Sequence, residues 1–218
     1  MSNSMPRRLA FCAVTLAAWG GAASALAVEA GVPPTGALDF DIVRKGEVIG
    51  LYHSDFAETA DGLLTVRTHI KAEVTLGPIR LYHFDSAYVE SWRQGRLVGL
   101  VSDSDDNGEV HHLQAQVQGE NLVLGIDGKS SAAVLSADAV PSSLWNSDML
   151  RPGRRIFDVD DGQRFTAVTH CDPASAGQGW ACTVSGELER SLHYGPDGVL
   201  DRLEFAGDDG SQVSYRPR

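Results

Sequence analysis

The sequence predicts an all-β protein, an antiparallel meander curved into a barrel or half-barrel, with one short helix at about residues 141–150. Three observations carry that expectation. Asn107-Gly108 stands between two extended runs, Arg96 to Asp106 and Glu109 to Gly119. Asn-Gly suits the type I′ hairpin turn, in which both central residues take φ > 0. Leu63 to Leu76 alternates, with Leu64, Val66, Ile70, Ala72, Val74 and Leu76 on one face and Thr65, Arg67, His69, Lys71, Glu73 and Thr75 on the other. Turn dipeptides recur at short intervals, at Lys45-Gly46, Asp61-Gly62, Gly77-Pro78 and Asp161-Gly162.

Length gives the curvature. At about 3.3 Å per residue, Leu63–Leu76 would span about 46 Å if straight, against ~17–20 Å for an ordinary strand. A strand that long in a meander coils, which favours a barrel or half-barrel over a flat sandwich.

Taken in order, Leu38, Phe40 and Ile42 alternate with Asp39 and Asp41, and the chain returns over Val48 to Phe56. After the long strand, Ile79 to Trp92 runs back with apolar or aromatic residues on both faces, the pattern of a central strand covered on both sides. A two-residue loop at Asn107-Gly108 sets Asp106 opposite Glu109, Ser104 opposite His111, Asp103 opposite His112 and Leu100 opposite Ala115. Val98, Leu100, Leu113, Ala115 and Val117 then share a face.

Leu122, Leu124 and Ile126 follow a turn at 119–121, and Ser130 to Ala137 is a weaker strand. Apolar spacing over Leu144, Trp145, Met149 and Leu150 suits a short helix ended by Arg151-Pro152-Gly153. Strands resume at Ile156–Asp160, Arg164–Cys171 and Gly179–Arg190. A last hairpin turns at 195–198, and Ser211 to Tyr215 adds an edge strand.

Residues 1–27 have the features of an export signal: Arg7 and Arg8, an apolar run from Leu9 to Trp19, and the small-residue site Ala25-Leu26-Ala27. The run is too short for a hydrocarbon core of ~30 Å, and no second apolar span of membrane length follows. The expected organisation is a signal peptide at 1–27, a flexible stretch at 28–36 and one β domain at 37–218, in a periplasmic or secreted protein. Loss of two arginines with the signal takes the net charge from −11 to −13, which argues against nucleic-acid partners and anionic lipid surfaces. An outer-membrane barrel is disfavoured by the polar end Ser-Tyr-Arg-Pro-Arg and by the helical interruption. Cys171 and Cys182, an even pair in an exported chain, suggest a disulfide. The alternative, a reactive dithiol, has a spacing far from Cys-x-x-Cys.

Several stretches together resemble a family of exported bacterial proteins known as domain of unknown function 6134. They are Leu38-Asp39-Phe40-Asp41-Ile42 with Gly46 and Ile49-Gly50, Leu76-Gly77-Pro78-Ile79, Trp92-x-x-Gly95-x-Leu97, Asp106-Asn107-Gly108, Pro141-Ser142-Ser143-Leu144-Trp145-Asn146 and Tyr194-x-x-Asp197-Gly198-x-Leu200. The resemblance covers nearly all of the chain after the signal, and a looser similarity extends to curved antiparallel sheets that carry or sense lipids in the bacterial envelope. It implies fold and export, with no reaction attached.

Candidate chemistry is sparse. Asp103-x-Asp105-x-Asn107-Gly108 matches half of an EF-hand loop, but Gln114 stands where the bidentate Glu belongs. The ordinary reading is a hairpin with solvated acids. Asp103 and His112 are cross-strand neighbours and make the orienting half of a triad, although no nucleophile is placed beside them; a surface ion pair is the plainer reading. His111 points to the opposite face, where a neighbour such as Ser104 satisfies it. No metal-ligand spacing connects the histidines, and no cofactor is expected. Trp145 and Asn146 are the leading candidates for a ligand contact, from a helix across the mouth of the curved sheet. Trp92, Tyr88 and Phe84, with Tyr82, share a face of one strand and line the same hollow in that reading; in the plainer one, all are packing.

The leading expectation is therefore a non-catalytic envelope protein that holds a small apolar or lipid-like molecule. A scaffold using its acidic surface for an envelope protein partner stands second, and a hydrolase built on Asp103 and His112 third.

Overall fold

The computed structural model describes residues 31–174, 179–207 and 209–218. The expected export signal lies outside them. The chain forms β1 (Ala37–Arg44), β2 (Glu47–Glu58), β3 (Leu63–Leu76), β4 (Ile79–Arg93), β5 (Arg96–Asp106), β6 (Glu109–Gln118), β7 (Asn121–Ile126) and β8 (Lys129–Ser136). An insertion then carries β9 (Val140–Pro141), a 3-10 turn (Ser147–Leu150), β10 (Ile156–Phe157) and β11 (Arg164–Phe165). The chain ends with β12 (Ala167–Pro173), β13 (Trp180–Gly186), β14 (Arg190–Tyr194), β15 (Leu200–Ala206) and β16 (Gln212–Pro217).

Among the described residues, one 13-stranded antiparallel sheet runs from β12 to β16, then β1 to β8. The pairing that joins its two halves is β16 with β1, Ile42 opposite Tyr215. Ser211 to Tyr215 was expected at an edge and instead lies within β16 near the middle of the sheet; the edges are β8 and β12, so the sheet is not closed. The expected strand 179–190 stops early, as β13 at Gly186, and Arg190 instead begins β14. Gly186 ends β13 at φ +115, where a Cβ would stand 2.5 Å from the Thr166 carbonyl oxygen.

The central hairpin has the expected register, Asp106 opposite Glu109 through Leu100 opposite Ala115, around Asn107 at φ 54 and Gly108 at φ 94. Nearer the strand start, the β4–β5 pairing slips between Ser91 and Trp92. Leu97 and Leu100 then both turn inward, each 2% exposed, and Val98 is only half-buried; one extra residue in a bulged strand re-aims the side chains before it. β4 is covered on one face alone: Tyr88 and Trp92 are buried while Val89, on the other face, is exposed.

The insertion packs into the concave side. Trp145 meets Phe56 of β2 and Trp92 of β4 edge-on, at centroid distances of 5.4 and 5.5 Å. Tyr194 of β14 donates its hydroxyl to the Leu144 carbonyl at 2.9 Å, and Gly162 abuts Leu113 of β6 and Leu124 of β7. Contacts to both wings of the sheet mean that it curls around this segment, and one apolar cluster contains residues of both. The expected helix at 141–150 is the single 3-10 turn, capped by Asn146, whose Oδ1 accepts from the Asp148 N–H at 2.9 Å; the preceding Val140–Pro141 is drawn into strand pairing with β10. Residues 31–36, expected to be flexible, instead dock on the sheet: Gly31 and Pro33 are buried, and the Phe56 N–H donates to the Gly36 carbonyl at 2.9 Å. Cys171 and Cys182, directly opposite on β12 and β13, form a disulfide. No helix among the described residues is long and apolar enough to cross a membrane.

Candidate functional site

The insertion does not fill the whole concavity. A cavity of about 610 Å³ remains, bounded by β1, β3, β4, β14, β15, β16 and the insertion. Its apolar wall includes Ile70 and Ala72 of β3 and Val213 of β16; the insertion contributes Leu144, Met149, Asp158 and Asp160. Alternation on β4 points Tyr82, Phe84, Ser86 and Tyr88 to the same side, and the three aromatics line the cavity.

The polar groups are the unusual part. Asp158 Oδ1 accepts the Asp160 N–H at 2.7 Å, and the Ser86 hydroxyl donates to Asp160 Oδ1 at 2.5 Å. Burial, reinforced by the Asp160 charge, pushes the Asp158 carboxyl up to about 7. Burial raises Asp160 as well, against the Ser86 hydrogen bond. Arg190 stacks on Phe205, its guanidinium carbon 4.3 Å from the ring centroid, and donates to the Glu189 carbonyl at 2.9 Å. Burial holds Arg190 below its usual range. Among the described residues, no carboxylate oxygen comes within 4.0 Å of its nitrogens.

Of the residues expected to touch a ligand, Phe84 and Tyr88 line the cavity and Trp145, Asn146 and Trp92 do not. Trp145 and Trp92 are each 1% exposed. The Trp145 indole N–H donates to Glu90 Oε2 at 2.6 Å, and Glu90 too is absent from the cavity's lining. Glu90 is 0% exposed. Burial drives its carboxyl up to about 7, opposed by the Trp145 hydrogen bond and by Ser143 and Trp92, which also face it.

Asp103 and His112 pair as the register requires, Nδ1 to Oδ1. Both side chains lie in solvent on the outer face, 67% and 63% exposed, and among the described residues no hydroxyl or thiol bonds to His112. His111 is satisfied by Asp127 at 3.3 Å and Glu109 at 3.5 Å rather than by Ser104. The diagonal neighbour across the β6–β7 pair is in reach of a long ring.

Sequence reasoning missed Glu90, Asp158, Asp160 and Arg190. Two of them carried a signal. Glu90 shares the parity of Tyr88 and Trp92, and Arg190 that of Leu188, Leu192 and Tyr194, so each was a charge on an inward-facing position. Asp158 and Asp160 fell in the expected strand Ile156–Asp160, of which only Ile156–Phe157 pairs as β10.

No curated protein matches the sequence. A solved structure described as a beta-barrel-like protein of domain of unknown function DUF1849, from Brucella abortus, is similar to this chain with a TM-score of 0.56 at 9% identity. The match covers 84% of this chain and 94% of that one, and shows a shared barrel-like fold. The family model for the Domain of unknown function (DUF6134) matches residues 40–218, and the chain belongs to that family.

Proposed function

We propose that this protein binds a small apolar or amphipathic molecule in its concave cavity, in the periplasm or outside the cell, without transforming it. The observation that carries the reading is the cavity of about 610 Å³. Interiors close-pack, and voids larger than a water are few; small-molecule sites occupy about 300–1,000 Å³ with apolar walls and a few placed polar groups. The arrangement here has that form, with Ile70, Ala72 and Val213 on the walls and Asp158, Asp160 and Arg190 at fixed positions. An exported location is supported by the disulfide and by the Arg7-Arg8 start with its apolar run. Binding is favoured over hydrolysis because the Asp103–His112 pair stands in solvent on the convex face, away from the cavity.

The test is mass spectrometry of an organic extract from the protein purified out of the periplasm, beside the Val74→Trp variant. Val74 is half-buried on the cavity wall, so the larger ring obstructs the space and leaves the deeper core intact. A near-stoichiometric molecule in the wild-type extract that is lost from the variant supports the reading. An empty extract, together with no uptake of an apolar dye by the wild type, overturns it.

A further inference from the structure

We infer that the molecule taken by the cavity carries an ammonium group, held against the carboxylates of Asp158 and Asp160. The inference rests on the cavity being a binding site and names the chemistry of its polar end.

The two carboxylates are oriented from behind. Asp158 Oδ1 is fixed by the Asp160 N–H and Asp160 Oδ1 by Ser86, a serine that is itself 0% exposed. Neither second oxygen takes a hydrogen bond from the described residues, and neither carboxylate has a cation within 4.0 Å. Both residues are part-buried at the cavity wall, and a partly desolvated carboxylate gains from a cationic partner, so the pair is placed for a donor that enters through the cavity.

The other charges on the lining do not supply it. Arg44 is tied to Asp209. Arg190 is engaged by Phe205 and the Glu189 carbonyl and favours the Asp158 carboxylate only through its charge, as His111 favours Asp160, while Asp161 opposes ionisation of both. Asp106 adds a further negative group. Four aspartates against two arginines leave the cavity negative, a field that repels an acid headgroup.

The walls beside the pair suit a cation too. Phe84 and Tyr88 flank Ser86 on the inward side of β4, and Tyr215 stands on β16; aromatic faces attract ammonium groups. The volume leaves room for an apolar chain along Ile70, Ala72 and Val213. The raised Asp158 carboxyl agrees: it is only part-ionised near neutral pH, so capture of an ammonium favours loss of its remaining proton.

Calorimetric titration with decylammonium, decanoate and decanol, each below its micellar concentration, tests the inference. Decylammonium is expected to bind at least about tenfold more tightly than either of the others, and to tighten as pH rises through about 7. Asp158→Asn is expected to reduce decylammonium to the affinity of decanol and to leave decanol unchanged. Decanoate binding best, or a decylammonium preference unaltered in Asp158→Asn, overturns the inference while the binding function stands. Failure of all three to bind overturns both. Should Asp158→Asn fail to fold, the wild-type ranking of the three ligands decides alone.

Discussion

Glu90 offers a prediction whose size comes from the structure. It is fully buried, and burial raises its carboxyl from 4.5 to about 7. A carboxyl with a folded value above its unfolded one binds its proton more tightly in the folded state. Its contribution is fully present below the unfolded value, and stability is lost as pH rises toward the folded one. At about 1.36 kcal/mol per unit the whole effect is about 3 kcal/mol, most of which falls between about pH 5 and pH 8. For a chain of this size that is a shift of about 5–10 °C.

Glu90→Gln removes the titration and keeps the shape and one acceptor for the Trp145 indole N–H. Near pH 5 the wild-type carboxyl is protonated and resembles the amide, so the two proteins are expected to unfold within a few degrees of each other. Near pH 8 the variant is expected to be the more stable. Asp158 and Asp160 also carry raised values, so the wild-type curve alone mixes several groups, and the difference between the two proteins isolates Glu90. Denaturant titrations at about four pH values, with the disulfide intact, give the answer. A difference that stays constant from pH 5 to pH 8 would refute the reasoning.

Trp145→Ala leaves a void against Phe56 and Trp92 and takes the donor from Glu90; a loss of about 3–5 kcal/mol in unfolding free energy is expected, and a loss under about 1 kcal/mol would show that the insertion is not packed as described. Cys171→Ser with Cys182→Ser opens a link of sequence separation 11. It should cost up to about 3 kcal/mol, with hydrogen-exchange protection falling mainly in β12 and β13, since β12 is an edge strand and β13 its one neighbour; uniform loss across the sheet would count against that. Asp103→Asn or His112→Ala, in an exposed pair, should move stability by no more than about 1 kcal/mol in urea titrations.

The strands were largely legible because their information is local. The alternation over Leu63 to Leu76 reappears as β3, and Asn107-Gly108 alone fixed the register that puts Asp103 beside His112. The cavity was not legible, because it lies between β1, β3, β4 and the strands β14 to β16. Periodicity says which side of a strand turns inward and nothing about which distant strand it meets. Trp145 shows the consequence. A tryptophan on an irregular segment looked available to a ligand, but the group that occupies it is Glu90, fifty-five residues earlier in the chain. The edge assignment of Ser211 to Tyr215 failed for the same reason: a C-terminal strand is an edge only if one of its sides is unpaired, and β16 pairs with both β15 and β1.

Glu90 and Asp158 share a raised carboxyl and differ in what lies beside them. Glu90 is sealed against Trp145 and Trp92, whereas Asp158 borders open volume. A ligand bearing a cation should therefore act on one and leave the other untouched. Near pH 5 the Asp158 carboxyl is protonated and offers little to an ammonium; near pH 8 it is ionised and unpaired, and pairing it recovers stability that burial cost. Saturating decylammonium is expected to raise the unfolding temperature more at pH 8 than at pH 5 in the wild type. Glu90→Gln should show the same ligand increment, and Asp158→Asn should show none of its pH dependence. If Glu90→Gln rather than Asp158→Asn removed the pH dependence, the cation would have to reach the sealed core. Trp145 and Glu90 would then belong to the site, and the division of the concavity into a packed half and an open half would be wrong.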